Sequence, residues 1–320
     1  MFFLFSQCFI GNFLKQPACV SAGTLYDNSY FNFTTYPYRF TKWEFKDSNN
    51  YIGKGFFSIV RKRETLNGTT VAVKKFKIFD RKSLIREMQT LRALNDTPNV
   101  VHILGLTGNY EHPSVVYSYH QSKNEDYLNM SLPNFKWFLK HTLTILKDIH
   151  ARGVIHNDMN IGNILFDLEN KSLTLIDFGL AAFYRPEKHY KLKGGMFRIQ
   201  PPEFLVDRNH WDCGVDIWSL GITCLDLVLG IKGNYLPKDD RDSREFMNRY
   251  FGKQLAPYLK SKGIKIEPGD SDLFELAMPG TEQLITKDVM DLIGKMLTID
   301  PKKRITARDA LKHPLFNGVD

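Results

Sequence analysis

The chain is predicted to be an α+β protein of two lobes: a small antiparallel sheet with one helix, then a larger and mainly helical lobe. Three observations lead there. Residues 51–76 alternate short apolar runs with Gly53, Gly55 and Asn67-Gly68, and Asn-Gly between such runs is a strong hairpin signal. A single amphipathic helix follows, because Leu84, Met88 and Leu91 recur at helical spacing over residues 82–94. Beyond residue 119 helical patterns dominate.

The elements follow in order. Residues 1–38 form an extension, expected to pack in part on the core. Its first fourteen residues carry no charge and are rich in Phe, and Val20-Ser21-Ala22 resembles a weak signal-peptidase site. No basic region opens it, and Ser6, Gln7 and Asn12 interrupt its apolar stretch. It therefore reads as a poorly ordered extension or a start codon assigned too early, and not as a secretion signal. The first lobe spans residues 39–119 and returns to strands over 100–119. The second spans residues 120–320. There Phe138, Leu139, Thr142, Ile145, Leu146 and Ile149 share one face of a helix over 134–151, which Gly153 stops. Residues 217–229 are apolar almost all round, as in a buried helix. Thr306-Ala307-Arg308-Asp309 is a capping box that opens a last helix before His313-Pro314.

Composition sets the bounds. A hydrophobic fraction of 43% and a charged fraction of 24% over 320 residues are ordinary for a globular chain with ample core. The net charge of +8 favours acidic partners. It is spread along the chain, so an acidic peptide or a phosphorylated cosubstrate is expected rather than nucleic acid. No apolar run is long enough to span a bilayer, and no membrane partner is expected. Cys8, Cys19, Cys213 and Cys224 lack metal-ligand spacing and read as free thiols of a reducing compartment, the cytoplasm or nucleus.

The chemistry concentrates in His156-Asn157-Asp158-Met159-Asn160-Ile161-Gly162-Asn163 and in Asp177-Phe178-Gly179. Phosphoryl transfer from a nucleotide needs a carboxylate to orient the attacking hydroxyl, oxygen ligands for magnesium and a cradle for phosphates. Asp158 supplies the first, and Asn163 with Asp177 the second. The cradle reads from Ile52, Gly53, Lys54, Gly55, Phe56, Phe57, Ser58, Ile59 and Val60, where glycines let backbone amides approach phosphates. Val71-Ala72-Val73-Lys74 lies on the next strand, with Ala72 and Lys74 on one face. Glu87 shares the helix of Leu84, Met88 and Leu91, placed to hold Lys74 as an ion pair.

Glycine loop, lysine, glutamate, catalytic loop, Asp-Phe-Gly, Pro202-Glu203 and Asp216-Ile217-Trp218 occur in the order found in protein kinases. The chain resembles that superfamily. Within it, residues 173–184, 201–207 and 98–101, with the aromatic segment around Tyr26 and Trp43, resemble the catalytic α subunits of casein kinase II. The similarity runs from about Thr24 to Phe316.

That resemblance implies a bilobal protein-kinase fold and a Ser/Thr kinase using magnesium and ATP, with GTP as an alternative nucleotide. It implies acidic protein substrates, a regulatory β-subunit partner, and activity without a phosphorylated activation loop. An N-terminal segment packed on that loop is implied as well. Ser118 and His120 would meet the base through backbone groups, with Val60, Ala72, Leu165 and Ile176 as apolar walls. Arg304 would pair with Glu203.

Two positions depart from the pattern. Asn157 stands where kinases commonly carry Arg to receive an activation-loop phosphate, and residues 177–203 contain no Ser or Thr, only Tyr184 and Tyr190. These two facts agree with each other. Asn160 replaces a Lys that steadies the transferring group, and losing one such donor typically costs ~2.7–4 kcal/mol. A slow kinase is expected, with a catalytically weak or inactive nucleotide-binding scaffold as the alternative. Lys191, Lys193 and Arg198, with Lys74, Lys75, Lys77, Arg81 and Lys82, would supply a residual acidic preference.

Overall fold

The alternation over residues 50–76 becomes three antiparallel strands, β1 (Asn50–Lys54), β2 (Ser58–Glu64) and β3 (Thr70–Phe76). Between β2 and β3 the Asn67-Gly68 turn closes with Gly68 at φ +88°, left-handed backbone that glycine adopts without strain. The computed structural model describes residues 19–47, 50–55, 58–123, 127, 130–187, 200–231, 240–278 and 280–319. Phe56, Phe57, Lys191, Lys193 and Arg198, named above, lie outside the described residues, as does Tyr190.

Helix α1 (Arg81–Ala93) opens where the Asp80 side chain accepts from the Lys82 N–H. Its buried face carries Leu84, Ile85, Met88 and Leu91, with Glu87 among them. Strands β4 (Ile103–Gly108) and β5 (Pro113–Ser118) complete a five-stranded sheet in the order β1-β2-β3-β5-β4. This puts β3, with Lys74, at the centre, where both edges are paired and the backbone is held firmly.

The first α-helix of the second lobe is α2 (Leu132–Ala151), capped by Ser131. Phe135, Phe138, Leu139, Leu143, Leu146 and Ile149 are fully buried on it. Truncating one such ring to Ala typically costs about 3–5 kcal/mol, so this face anchors the lobe. Two short pairs follow: β6 (Val154–Ile155) with the later β9 (Ala182–Phe183), and β7 (Ile164–Asp167) with β8 (Ser172–Leu175). They fix the two ends of the loops that carry the motifs. Helix α3 (Gly214–Leu229) is buried at every residue except Ser219, as its all-round apolar pattern requires. Helices α4 (Asp240–Lys260) and α5 (Lys287–Met296) follow, neither among the expectations above, and α6 (Ala307–Ala310) is a single turn capped by Thr306.

One reading of the sequence is corrected. Cys19 and Cys213 are joined as a disulfide across 194 positions, with Cα atoms 5.6 Å apart, so they are not both free thiols. Sequence spacing carries no signal of a contact made at that range. Cys224 is free and buried, and Cys8 lies outside the described residues. Among the described residues no helix is long and apolar enough to cross a membrane.

Candidate active site

Lys74 meets two carboxylates at the mouth between the lobes. Its Nζ lies 2.9 Å from Asp177 Oδ1 and 3.5 Å from Glu87 Oε1. Central β3 supplies the lysine, α1 the glutamate and the turn after β8 the aspartate. Burial disfavours the Lys74 ammonium, yet Glu87 and Asp177 outweigh it and hold its pKa above the ordinary value. Glu87 is 3% exposed, and burial pushes its carboxyl up despite Lys74. Tyr117 of β5 donates to Glu87 Oε1 at 2.7 Å, a partner that no motif announced. Asp177 is also buried on its inner side, but Lys74 prevails and holds its pKa below the usual range. Its side chain remains 45% exposed, so it can accept a further ligand.

The catalytic loop is tied down from beneath. Asp216 is fully buried on α3 and accepts from the His156 and Asn157 backbone N–H groups at 2.8 and 2.7 Å, and it bonds the His150 ring at 2.9 Å. Asn157 takes φ +62°, a left-handed conformation that Asn tolerates better than most residues. Its amide donates to Leu180 O at 3.3 Å, linking the loop to the activation segment. The His156 ring packs edge-on against buried Phe178, centroids 4.7 Å apart, and bonds Ile176 O. These contacts set Asp158 and Asp177 in one frame.

Asn163 donates its amide to both Asp158 O (2.8 Å) and Asp158 Oδ2 (2.7 Å), which keeps the Asn163 Oδ1 as an acceptor. With the Asp177 carboxylate this leaves two hard oxygen acceptors on adjoining elements, a donor type that would suit magnesium. Burial pushes the Asp158 carboxyl above the ordinary aspartate value, and Asp177 adds to this, while the His156 ring and Asn163 pull it back. Asn160 is 5% exposed and fully engaged in the loop. Its Nδ2 donates to Asp158 O at 3.0 Å and its Oδ1 accepts from Gly162 N at 2.9 Å. It caps a turn and brings no charge.

Gly53, Lys54 and Gly55 lie on or beside β1, and Ser58, Ile59 and Val60 on β2. Gly55 N donates to Ser58 O at 3.0 Å, and Lys77 Nζ donates to Gly55 O at 2.7 Å. Ile52 is exposed, whereas Val60, Ala72, Leu165 and Ile176 are half-buried on elements with fully buried neighbours. Ser118 N donates to His102 O, so it is occupied within the protein, and Ser118 Oγ bonds the His120 ring at 2.9 Å. That ring also bonds Thr174 Oγ1 at 3.1 Å, which ties the inter-lobe connection to β8. Burial lowers the His120 pKa.

The fold and these placements agree with the family comparison, in which the protein kinase domain matches residues 47–316. The chain belongs to the protein kinase family. It is accordingly a phosphotransferase acting on protein, and ATP with magnesium are the cosubstrates that this family uses in general.

Proposed function

We propose that the chain is a Ser/Thr protein kinase of the casein kinase II α type, active without activation-loop phosphorylation. The observation that carries this reading is Lys74 standing between Glu87 and Asp177 with α1 already in place, the arrangement that phosphoryl transfer requires. Asn157 contributes to it. Its amide donates to Leu180 O directly, so this tie to the activation segment forms without a phosphate.

In this reading Asp158 orients the substrate hydroxyl and accepts its proton. Asn163 and Asp177 hold magnesium, whose charge offsets that of the nucleotide phosphates when bound. Lys74 steadies phosphate oxygens, and Glu87 with Tyr117 fixes Lys74. The Gly53–Gly55 backbone covers the phosphates. Val60, Ala72, Leu165 and Ile176 flank the base, with the His120 N–H and a Ser118 backbone group beside it. Exposed Lys75 and Lys82 favour acidic residues near the acceptor. Exposed Leu66, Leu104 and Tyr110 give the first lobe apolar surface for a regulatory β subunit.

A second reading, a weakly active nucleotide-binding scaffold, is favoured by Asn160, whose loop bonds leave no cation at that position. Transfer from radiolabelled ATP to an acidic Ser peptide, a basic Ser peptide and a Tyr peptide decides between them. The proposed kinase labels the acidic peptide best, and phosphatase treatment beforehand leaves the rate unchanged. Labelling equal to that of an Asp158→Asn control would establish the scaffold instead.

A further inference from the structure

The N-terminal segment is bonded to both lobes. Val20 N donates to His150 O at 3.2 Å and Ala22 N to Tyr184 O at 2.7 Å. Tyr184 N donates in turn to Gly153 O at 2.7 Å, so residues 20–22 lie against the continuation of the β6–β9 pair. A Cβ on Gly153 would stand 2.8 Å from the Ala22 backbone, so only glycine admits the segment there. Farther along, the rings of Tyr26 and Phe31 lie 5.5 and 5.4 Å from that of Phe183. Gln89 of α1 donates its amide to Ser29 O at 3.2 Å and Asn32 O at 3.4 Å. Arg92 sits over Tyr30 at 4.5 Å and Arg86 over Phe33 at 5.6 Å. Residues 20–33 therefore grip the helix that carries Glu87.

The upstream end of this grip is covalent. Cys19 is joined to Cys213, the residue that precedes α3, in a small apolar cluster with Ile155, Phe204, Trp211 and Val215. Ala182 and Tyr184 pack against the same cluster. The bond thus touches both stems of the activation segment, before residue 188 and after residue 199, and the residue next to His156.

We propose that the Cys19–Cys213 disulfide is a thiol-sensitive latch that holds residues 19–33 across the activation-segment stems and α1, so that its reduction loosens them and slows phosphoryl transfer. The reductant is a dithiol. One of its thiolates attacks a sulfur of the pair, forming a mixed disulfide and releasing the other cysteine. Its second thiol then displaces the remaining cysteine and closes a cyclic disulfide. Two electrons and two protons pass to Cys19 and Cys213, which end as thiols. Both cysteines are buried, at 3% and 0% exposure, so attack waits on local opening of residues 19–22. Once the bond is reduced, the described residues of the segment keep their hydrogen bonds, ring contacts and the burial of Ala22 but lose the covalent tie. The loosening stands on geometry alone, whereas its effect on transfer rests on the kinase reading above.

The test uses the full chain purified without reductant. Non-reducing peptide mapping is expected to find Cys19 linked to Cys213. Dithiothreitol is then expected to speed amide exchange at Ala22, Tyr184 and α1 by about fivefold or more, the lower end of ordinary coupling between sites, and to lower the rate of peptide labelling. Cys19→Ala is expected to match the reduced protein with or without dithiothreitol. Free thiols at both positions in the air-purified chain, or exchange that neither reduction nor Cys19→Ala changes, overturn the latch. Faster exchange with unchanged labelling overturns its control of transfer. Faster exchange with no labelling in either form supports the latch and removes the kinase reading.

Discussion

Arg304 and Lys74 both hold carboxylates from distant parts of the chain, but their surroundings differ. Arg304 meets Glu203 through two parallel bonds of 2.7 and 2.8 Å, and its remaining donors reach Gly214 O, Thr298 O and Ile299 O. Its side chain is 1% exposed. Every charge there is answered inside the protein, so the pair is an anchor for the end of the activation segment. Lys74 shares one ammonium between two carboxylates, and Asp177 keeps nearly half its side-chain surface open. A saturated pair holds position. An unsaturated one keeps oxygen atoms available for a ligand.

Substitutions on the two sides sharpen that contrast. Asp158→Asn is expected to lower kcat/KM by about 10²–10⁴, the usual worth of a positioned general base. Stability should be retained or slightly raised. A carboxyl whose folded pKa stands above its unfolded value binds its proton more tightly when folded, so it costs stability as pH rises from the unfolded to the folded pKa. The amide carries no such cost. Labelling assays and urea unfolding on one preparation measure both effects. Arg304→Met should do the reverse, losing about 3–5 kcal/mol because Glu203 is left buried and unpaired. Arg304→Lys should fall between. Comparable losses of stability in Asp158→Asn and Arg304→Met would break the distinction.

Asn160→Lys tests the missing cation. It restores a charge beside Asp158 but removes the cap on Gly162 N, so the gain in kcat is expected to stay below the ~10²–10³ that one electrostatic donor supplies. The KM for ATP should change less than kcat. An unchanged kcat in a folded variant would mean that Lys74 already supplies the charge required.

The smallest effect concerns pH. Asp158 acts as a base only when ionised, and burial raises its pKa, so the acid limb of kcat/KM should lie above the ordinary Asp value of about 3.9. Asp177 is shifted the other way by Lys74 and should remain ionised throughout that limb. An acid limb at or below the ordinary value would mean that Asp158 is better solvated than its burial indicates.

Much of this protein was legible in local pattern. The Asn67-Gly68 hairpin, the spacing of Leu84, Met88 and Leu91, and the apolar circumference of α3 each report on neighbours a few residues away, and propensity and periodicity act at that range. Helix α4 escaped notice because its apolar stripe is weak and it carries Pro257, so packing rather than propensity settles it, whereas α5 presents Val289, Leu292, Ile293 and Met296 at regular helical spacing after the Thr286 cap, a pattern the sequence did offer. The motif order placed Lys74, Glu87, Asp158, Asn163 and Asp177 on their elements before any distance was known. What brings Lys74 within 2.9 Å of Asp177 is the closure of the two lobes, a sum of contacts between residues more than one hundred positions apart. Tertiary packing within each lobe likewise brings Tyr117 to Glu87 across 30 positions and Asp216 beneath the catalytic loop across 60, and it sets Cys19 against Cys213 across 194. No short-range rule links such partners. The chain sequence determined which groups would carry charge and which faces would turn inward. The tertiary structure alone decided which buried groups would meet, because a buried polar group or thiol takes its partner from whatever the packed core places beside it.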